Sequence, residues 1–358
     1  MEKKNRICAY KGDPVVPGVN KKKSGINFAV EVPGDTEASL VLYRKGAAEP
    51  ETEFPFTEEY RTGRMCAMLV TGLRQERYEY NFRIDGKIVQ DPFACVIRGR
   101  EKFGAPLSKD EHEVRCAFLS EKEYDWEGDT APEIPYSEMI LYKIHVRGYT
   151  RQAKLALRKR GTFAGLTEMI PYWKELGINA VELMPAYEFQ ECVQADYAVN
   201  LAVRKKSDDR INYWGYTRGF YFAPKASYCA TKEPDREFRD MIRALHKAGI
   251  ECIMEMYFPK GTPSLQMIRS LWFWKLYYHV DGFHLLGDGV QQDVIERDPI
   301  LYGTKKLFSN VSGEADSENM LAEYNAGFML DMRRFLKSDE GMISGAEFHM
   351  RRNTGNFG

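Results

Sequence analysis

Two different periods run along the 358 residues. Up to about Asp125, apolar and polar positions alternate as they do in half-buried strands. Phe28, Val30 and Val32 interleave with Asn27, Ala29 and Glu31, and Tyr78, Tyr80, Phe82 and Ile84 interleave with Glu79, Asn81 and Arg83. Ala38 to Tyr43 and Met65 to Val70 are further apolar runs, and Asp85-Gly86 supplies a hairpin turn into Lys87-Ile88-Val89. Short strands at this spacing, without a convincing helix among them, predict a small β-sandwich. Pro132 and Pro135 mark Asp129 to Tyr136 as a linker.

Beyond it the period becomes helical. Leu166, Met169, Ile170, Trp173 and Leu176 share one face that ends at Gly177, and an apolar run from Ile178 to Met184 follows. The device recurs with Phe238, Met241, Ile242 and Leu245, then Gly249, then Ile250 to Phe258. Met139 to Val146, Val280 to Leu286, Lys305 to Asn310 and Met320 to Asn325 read as further strands, and Phe328, Met332, Phe335 and Leu336 as a last amphipathic helix. Helix, capping glycine and buried strand is half of a βαβ repeat. The repeat allows a doubly wound sheet or a (β/α) barrel, and the pattern alone does not choose.

Composition narrows the function rather than the fold. Lys plus Arg number 51 against 52 Asp plus Glu, so the chain lacks the basic field that nucleic-acid binding relies on. Seven Cys without a CxxC pair, and a start at Met1-Glu2-Lys3-Lys4 without a secretory leader, predict reduced thiols in a cytoplasm. No run approaches the roughly 18 apolar residues of a membrane span. The Cys and His show no metal spacing, and no glycine-rich phosphate loop is visible, so neither metal nor cofactor is expected.

Three strings carry a resemblance: YKIHVRGYT from Tyr142, GTFAGLTEMIPYWKELGINAVELMP from Gly161, and NYWGYTRGFYFAPKASY from Asn212. Together with EYNAGFMLDMRRFLKSDEG from Glu323, they resemble glycoside hydrolase family 13, the α-amylase superfamily, in its branch of pullulanases, isoamylases and glycogen debranching enzymes. GINFAV from Gly25 and YRTG from Tyr60 resemble the family 48 carbohydrate-binding module that precedes such barrels. The resemblance implies an Ig-like sandwich over residues 1–128. A TIM-type barrel follows over 129–358, with about six strands and an end before strand seven. Its site would lie at the C-terminal ends of the strands. The implied chemistry is retaining hydrolysis of α-glucans by two carboxylates about 5–5.5 Å apart.

The family's catalytic positions are altered in this chain. Its fourth strand reads approximately DGFRFD, but Asp281-Gly282-Phe283-His284-Leu285-Leu286 puts His284 at the Arg and Leu286 at the nucleophile. Leucine has no lone pair with which to form a glycosyl-enzyme bond. The acid/base position of the fifth strand falls on Asn310, whose amide cannot give and retake a proton. On the third strand Glu255 stands for the Asp, and Pro259-Lys260 for Asn-His. Asp288, two residues past the nucleophile position, and Glu314, four past the acid position, are the substitutes within reach. By resemblance Tyr216 stacks on a sugar, with Asn212 and Trp214 beside it, while His284 and Glu255 complete a substrate-facing set. The sequence thus predicts an α-glucan-binding relative without hydrolysis. The alternatives are an α-1,6-glucosidic hydrolase using displaced carboxylates, and a decayed or partner-completed barrel. An open seam would expose an apolar lining and invite self-association.

Overall fold

The protein is described by a computed structural model covering residues 6–106, 110–192, 211–309, 320–324 and 326–350. Asn310, Glu314 and Asn325 therefore lie outside the described residues.

The alternating N-terminal segment forms two antiparallel sheets. One orders Cys8–Lys11, Met65–Thr71, Gly25–Glu31 and Gly18–Lys22, with Arg61–Thr62 added to Met65–Thr71. The other orders Val96–Arg98, Arg115–Ala117, Tyr78–Ile84, Ala38–Arg44 and Thr52–Pro55, with Lys87–Val89 added to Tyr78–Ile84. Phe28 and Met68 from the first meet Leu40, Tyr80 and Phe82 from the second in one core. The Asp85-Gly86 turn has positive φ at both residues, as a tight hairpin between right-twisted strands requires.

Six parallel strands follow in sequential order: β1 (Leu141–Ile144), β2 (Ala180–Leu183), β3 (Glu251–Tyr257), β4 (Gly282–Leu286), β5 (Lys305–Phe308) and β6 (Leu321–Glu323). Sequential parallel order with helices between strands is the winding of a (β/α) barrel, and it settles the choice that periodicity left open. Alternation then sorts the side chains. Val181, Leu183, Cys252, Met254, Phe283, Leu285 and Phe308 belong to the core shared with the helices. That core includes Phe238, Met241, Ile242 and Leu245 of the helix Pro234–Lys247. The intervening positions carry Lys143, Glu182, Glu251, Glu255, His284 and Lys305. The inner face thus mixes these charged side chains with the apolar Ile253, Leu286 and Leu307, where an apolar lining was expected for an open seam.

Several local expectations are corrected. The predicted stripe from Leu166 to Leu176 breaks into two short helices, Phe163–Thr167 and Ile170–Glu175, and Leu176 is exposed. The helix Ala326–Leu336 forms, yet Phe335 and Leu336 are exposed instead of packed. A hairpin of Tyr187–Phe189 with Gly219–Pro224 was not anticipated. It carries Phe220 and Ala223 to the sandwich core and so ties the two halves together.

The connecting segment is also tied down. Tyr124 OH donates to Asp240 Oδ1 at 2.6 Å, and Arg243 Nη1 pairs with Glu127 at 2.7 Å. The Trp126 ring stacks on His279 with centroids 3.8 Å apart. Asp129 meets both His246 and His279, and the Ile134 N–H donates to Glu251 Oε1.

Candidate functional site

The inner face of the sheet brings four charged side chains from four strands together. His284 Nδ1 on β4 donates to Glu182 Oε1 on β2 at 2.8 Å and lies 3.3 Å from Glu255 Oε1 on β3. Lys143 on β1 is hydrogen-bonded to Glu255, and its Nζ lies 3.5 Å from Glu182. Two tyrosines close the cluster from outside the strands. Tyr216 OH donates to Glu255 Oε2 at 2.8 Å, and Tyr324 OH donates to Glu182 Oε2 at 3.2 Å. The Tyr324 ring lies parallel to His284, centroids 4.6 Å apart.

The two carboxylates differ in acidity. Burial raises both, but hydrogen bonds from His284 and Lys143 hold Glu255 down at about 2. Burial leaves Glu182 above its ordinary value, with the charge of Glu255 beside it. Burial opposes the charge on His284, yet the hydrogen bonds to Glu182 and Glu255 outweigh it and raise its pKa. An acid and a base held apart in this way are a feature of catalytic pairs, but the geometry here does not suit one. Both Glu side chains are fully buried and share the same donors, so no sugar ring fits between them. The cluster clamps β1 to β4 across the inner face.

Glu182, Glu255 and His284 also have the composition of a metal-ligand set, with ligand atoms within 4.8 Å of one another. The Lys143 ammonium contacts both carboxylates and supplies the positive charge that a cation would bring. The donor set is therefore neutralised from within the chain.

The residues expected to face a sugar divide into two groups. Glu255 and His284 are at the bottom of the mouth, buried. Asn212, Trp214 and Tyr216 are on the loop above, where the Trp214 ring is 53% exposed and Tyr216 36%. That loop is held in a specific turn. Asn212 Oδ1 accepts from Gly215 N at 3.1 Å, and Gly215 has φ +83 with the Phe189 ring where a Cβ would stand. His145 stacks on Tyr213, centroids 4.4 Å apart, and its Nε2 donates to the Tyr213 carbonyl, so it supports the loop from below.

Leu286 ends β4, half-buried, and its carbonyl accepts from Phe258 N at 2.8 Å. Asp288 does not continue the strand's alternation. Gly287 turns the chain at φ +97 and Gly289 presses on the Pro259 carbonyl, leaving Asp288 exposed on a tight turn. Sequence reading did not single out Lys143, Glu182 or Tyr324. A charged residue inside a four-residue apolar strand was the available signal at Lys143 and Glu182.

Comparison with known proteins gives a consistent picture. No protein-family model matches the chain. The "Glycogen operon protein GlgX homolog" of Haemophilus influenzae is 31% identical over 281 residues, covering 71% of this chain and 40% of that protein. A glycogen debranching enzyme of Serratia proteamaculans is 35% identical over 264 residues, covering 66% and 38%. Isoamylase 1 of Arabidopsis thaliana is 30% identical, covering 71% and 35%. The chain thus spans well under two thirds of the length of these relatives. Among solved structures, the pullulanase of Paenibacillus barengoltzii bound to maltohexaose and α-cyclodextrin superposes with a TM-score of 0.64. That match has 18% identity and covers 88% of this chain and 58% of the other, a likeness of fold. Sequential parallel strands, the loop from Asn212 and these relatives agree: the chain belongs to the pullulanase, isoamylase and glycogen-debranching branch of glycoside hydrolase family 13.

Proposed function

We propose that this protein binds α-glucan at the mouth of its barrel and does not hydrolyse it. The observation that carries the reading is Leu286. It ends β4 where the family's nucleophile would stand, in a sheet whose Glu255 is hydrogen-bonded by Tyr216 of the loop that exposes the Trp214 ring. A nucleophile is missing while an aromatic sugar platform remains. The relatives support the ligand class, since two of those compared are named for glycogen and a pullulanase of the same fold holds maltohexaose. Within this reading residues 1–128 are an Ig-like module resembling family 48 carbohydrate-binding modules, acting as a packing partner for the barrel of residues 129–358. Electrophoresis through glycogen-containing gels tests the binding. Retarded mobility that Trp214→Ala reduces, with no reducing ends released from pullulan, is the expected result. Unchanged mobility removes the glucan, and released reducing ends remove the loss of hydrolysis.

A second reading has one observation in its favour. Within the described residues β1 and β6 each pair on one side only, and Leu336, Ile343 and Met350 are exposed nearby in the chain. Strands from another chain would cover such edges. Light scattering that gives the monomer mass at every concentration excludes this reading.

A further inference from the structure

Between the sandwich and the barrel lies a cavity of about 700 Å³, a volume suited to a small-molecule ligand. Its barrel wall is the hairpin that carries Arg218 and Phe220. Its sandwich wall holds Val30 and Met65, and Arg100 and Phe93 complete it. The Arg100 side chain is 9% exposed, and its Nε has no hydrogen-bond partner. Arg100 Nη1 is ion-paired with Glu188 at 3.6 Å, a contact longer than a hydrogen bond that leaves Nε without an acceptor. Glu188 is already held by Lys225 Nζ at 3.2 Å and Ala226 N at 2.8 Å. A buried guanidinium donor left unmet destabilises the site until an acceptor arrives. Arg218, on the same wall, is exposed and makes no hydrogen bond or ion pair with another described residue.

Two acidic side chains also line the cavity, and both are engaged elsewhere. Asp91 accepts from Tyr80 OH at 2.9 Å and from Phe93 N at 2.8 Å, and Glu31 is paired with Arg64. A third guanidinium, Arg269, lies over the Phe93 ring and donates to the Pro17 carbonyl. The donors left open at the cavity are Arg100 Nε and, among the described residues, the Arg218 guanidinium, and guanidinium forks suit the several acceptor oxygens of a phosphate. The apolar remainder of the wall, with Phe93 and Phe220, suits a ring-sized body attached to it.

We infer that the cavity between the sandwich and the barrel hairpin binds a phosphate monoester, with Arg100 and Arg218 holding the phosphate. The site lies on the sandwich side of the hairpin, apart from the barrel mouth, and the inference does not depend on glucan binding. Isothermal titration of the full chain with glucose 6-phosphate, AMP, inorganic phosphate and glucose tests it. Saturable binding of at least one monoester is expected, half-maximal below about 1 mM. Glucose is expected not to bind, and inorganic phosphate to bind more weakly than the monoester. The preferred monoester identifies the body, a sugar or a nucleoside. Arg218→Gln is expected to weaken the binding about tenfold or more, the scale of one charge-assisted contact, and Arg218→Lys less. Arg218 is exposed, so its variants fold and decide the matter even if Arg100→Gln does not. The inference is overturned by the absence of saturable binding of either monoester. It is equally overturned by glucose binding as tightly as glucose 6-phosphate, or by unchanged affinity in Arg218→Gln.

Discussion

At the scale of single residues, two buried histidines, His246 and His284, sit between carboxylates. His246 is buried, with Nδ1 3.0 Å from Asp129 and Nε2 3.0 Å from Asp281. Burial opposes its charge, but Asp281 and Asp129 outweigh it and raise its pKa above 6.5. A histidine raised on folding contributes stability that is complete below its unfolded value and is lost as pH climbs through the folded one. Burial raises Glu182 and Glu251 in the same direction, so the native state holds protons that the unfolded chain releases. The urea midpoint is therefore expected to fall as pH rises from 6 upward, and His246→Gln should flatten that slope. A midpoint that rises over this range would contradict the assignment. His246→Leu leaves Asp129 with only His279 and Asp281 with only the Cys252 N–H, and should cost about 1.5–3 kcal/mol, read from the same urea curves at pH 6.

At the scale of elements, the loop from Asn212 to Arg218 is the piece on which the proposed glucan binding depends. Gly215→Ala places a side chain at φ +83 and against Phe189, so the turn must open. The left-handed backbone alone costs about 1–2 kcal/mol. The variant is expected to melt lower and to lose glycogen retardation along with the Tyr216 to Glu255 bond. Retained retardation would show that the turn's shape is irrelevant to binding. The strands themselves were legible, because β2 to β4 are apolar runs that follow a helix or a capping glycine, and Gly177 and Gly249 adopt the positive φ that such caps need. The hairpin from Tyr187 was not, since Gly-Phe-Tyr-Phe-Ala-Pro lacks a two-residue period and its partner lies far along the chain. The inward cluster was half legible. His284 and Glu255 stood out at motif positions, whereas Lys143 and Glu182 acquire meaning only when four strands lie side by side. The exposure of Asp288 comes from two glycines that curl the chain at the end of β4, where alternation no longer applies.

At the scale of the whole molecule, the sandwich and barrel share more than a boundary. Arg269 Nη1 donates to the Pro17 carbonyl at 2.9 Å, Gln266 Nε2 donates to the Pro92 carbonyl at 3.1 Å, and Phe93 packs against Phe222. Neither half can lose its fold without exposing surface of the other. Calorimetry is expected to show one transition whose van't Hoff and calorimetric enthalpies agree. Two resolved transitions would show that the halves melt independently. Among the described residues, no helix is long and apolar enough to cross a membrane.

The segment from Tyr124 to Tyr136 has a practical consequence for dissecting the protein. A barrel expressed from residue 129 would keep Asp129 against His246 but lose the Trp126 ring from His279, Glu127 from Arg243 and the Tyr124 hydroxyl from Asp240. The cut that separates the modules on paper thus passes through a stitched seam. A shuffled gene exchanging N-terminal modules would have to carry the donor's barrel residues at 240, 243 and 279 along with it. In this fold the heritable unit of recombination is longer than either module, and it ends inside the barrel.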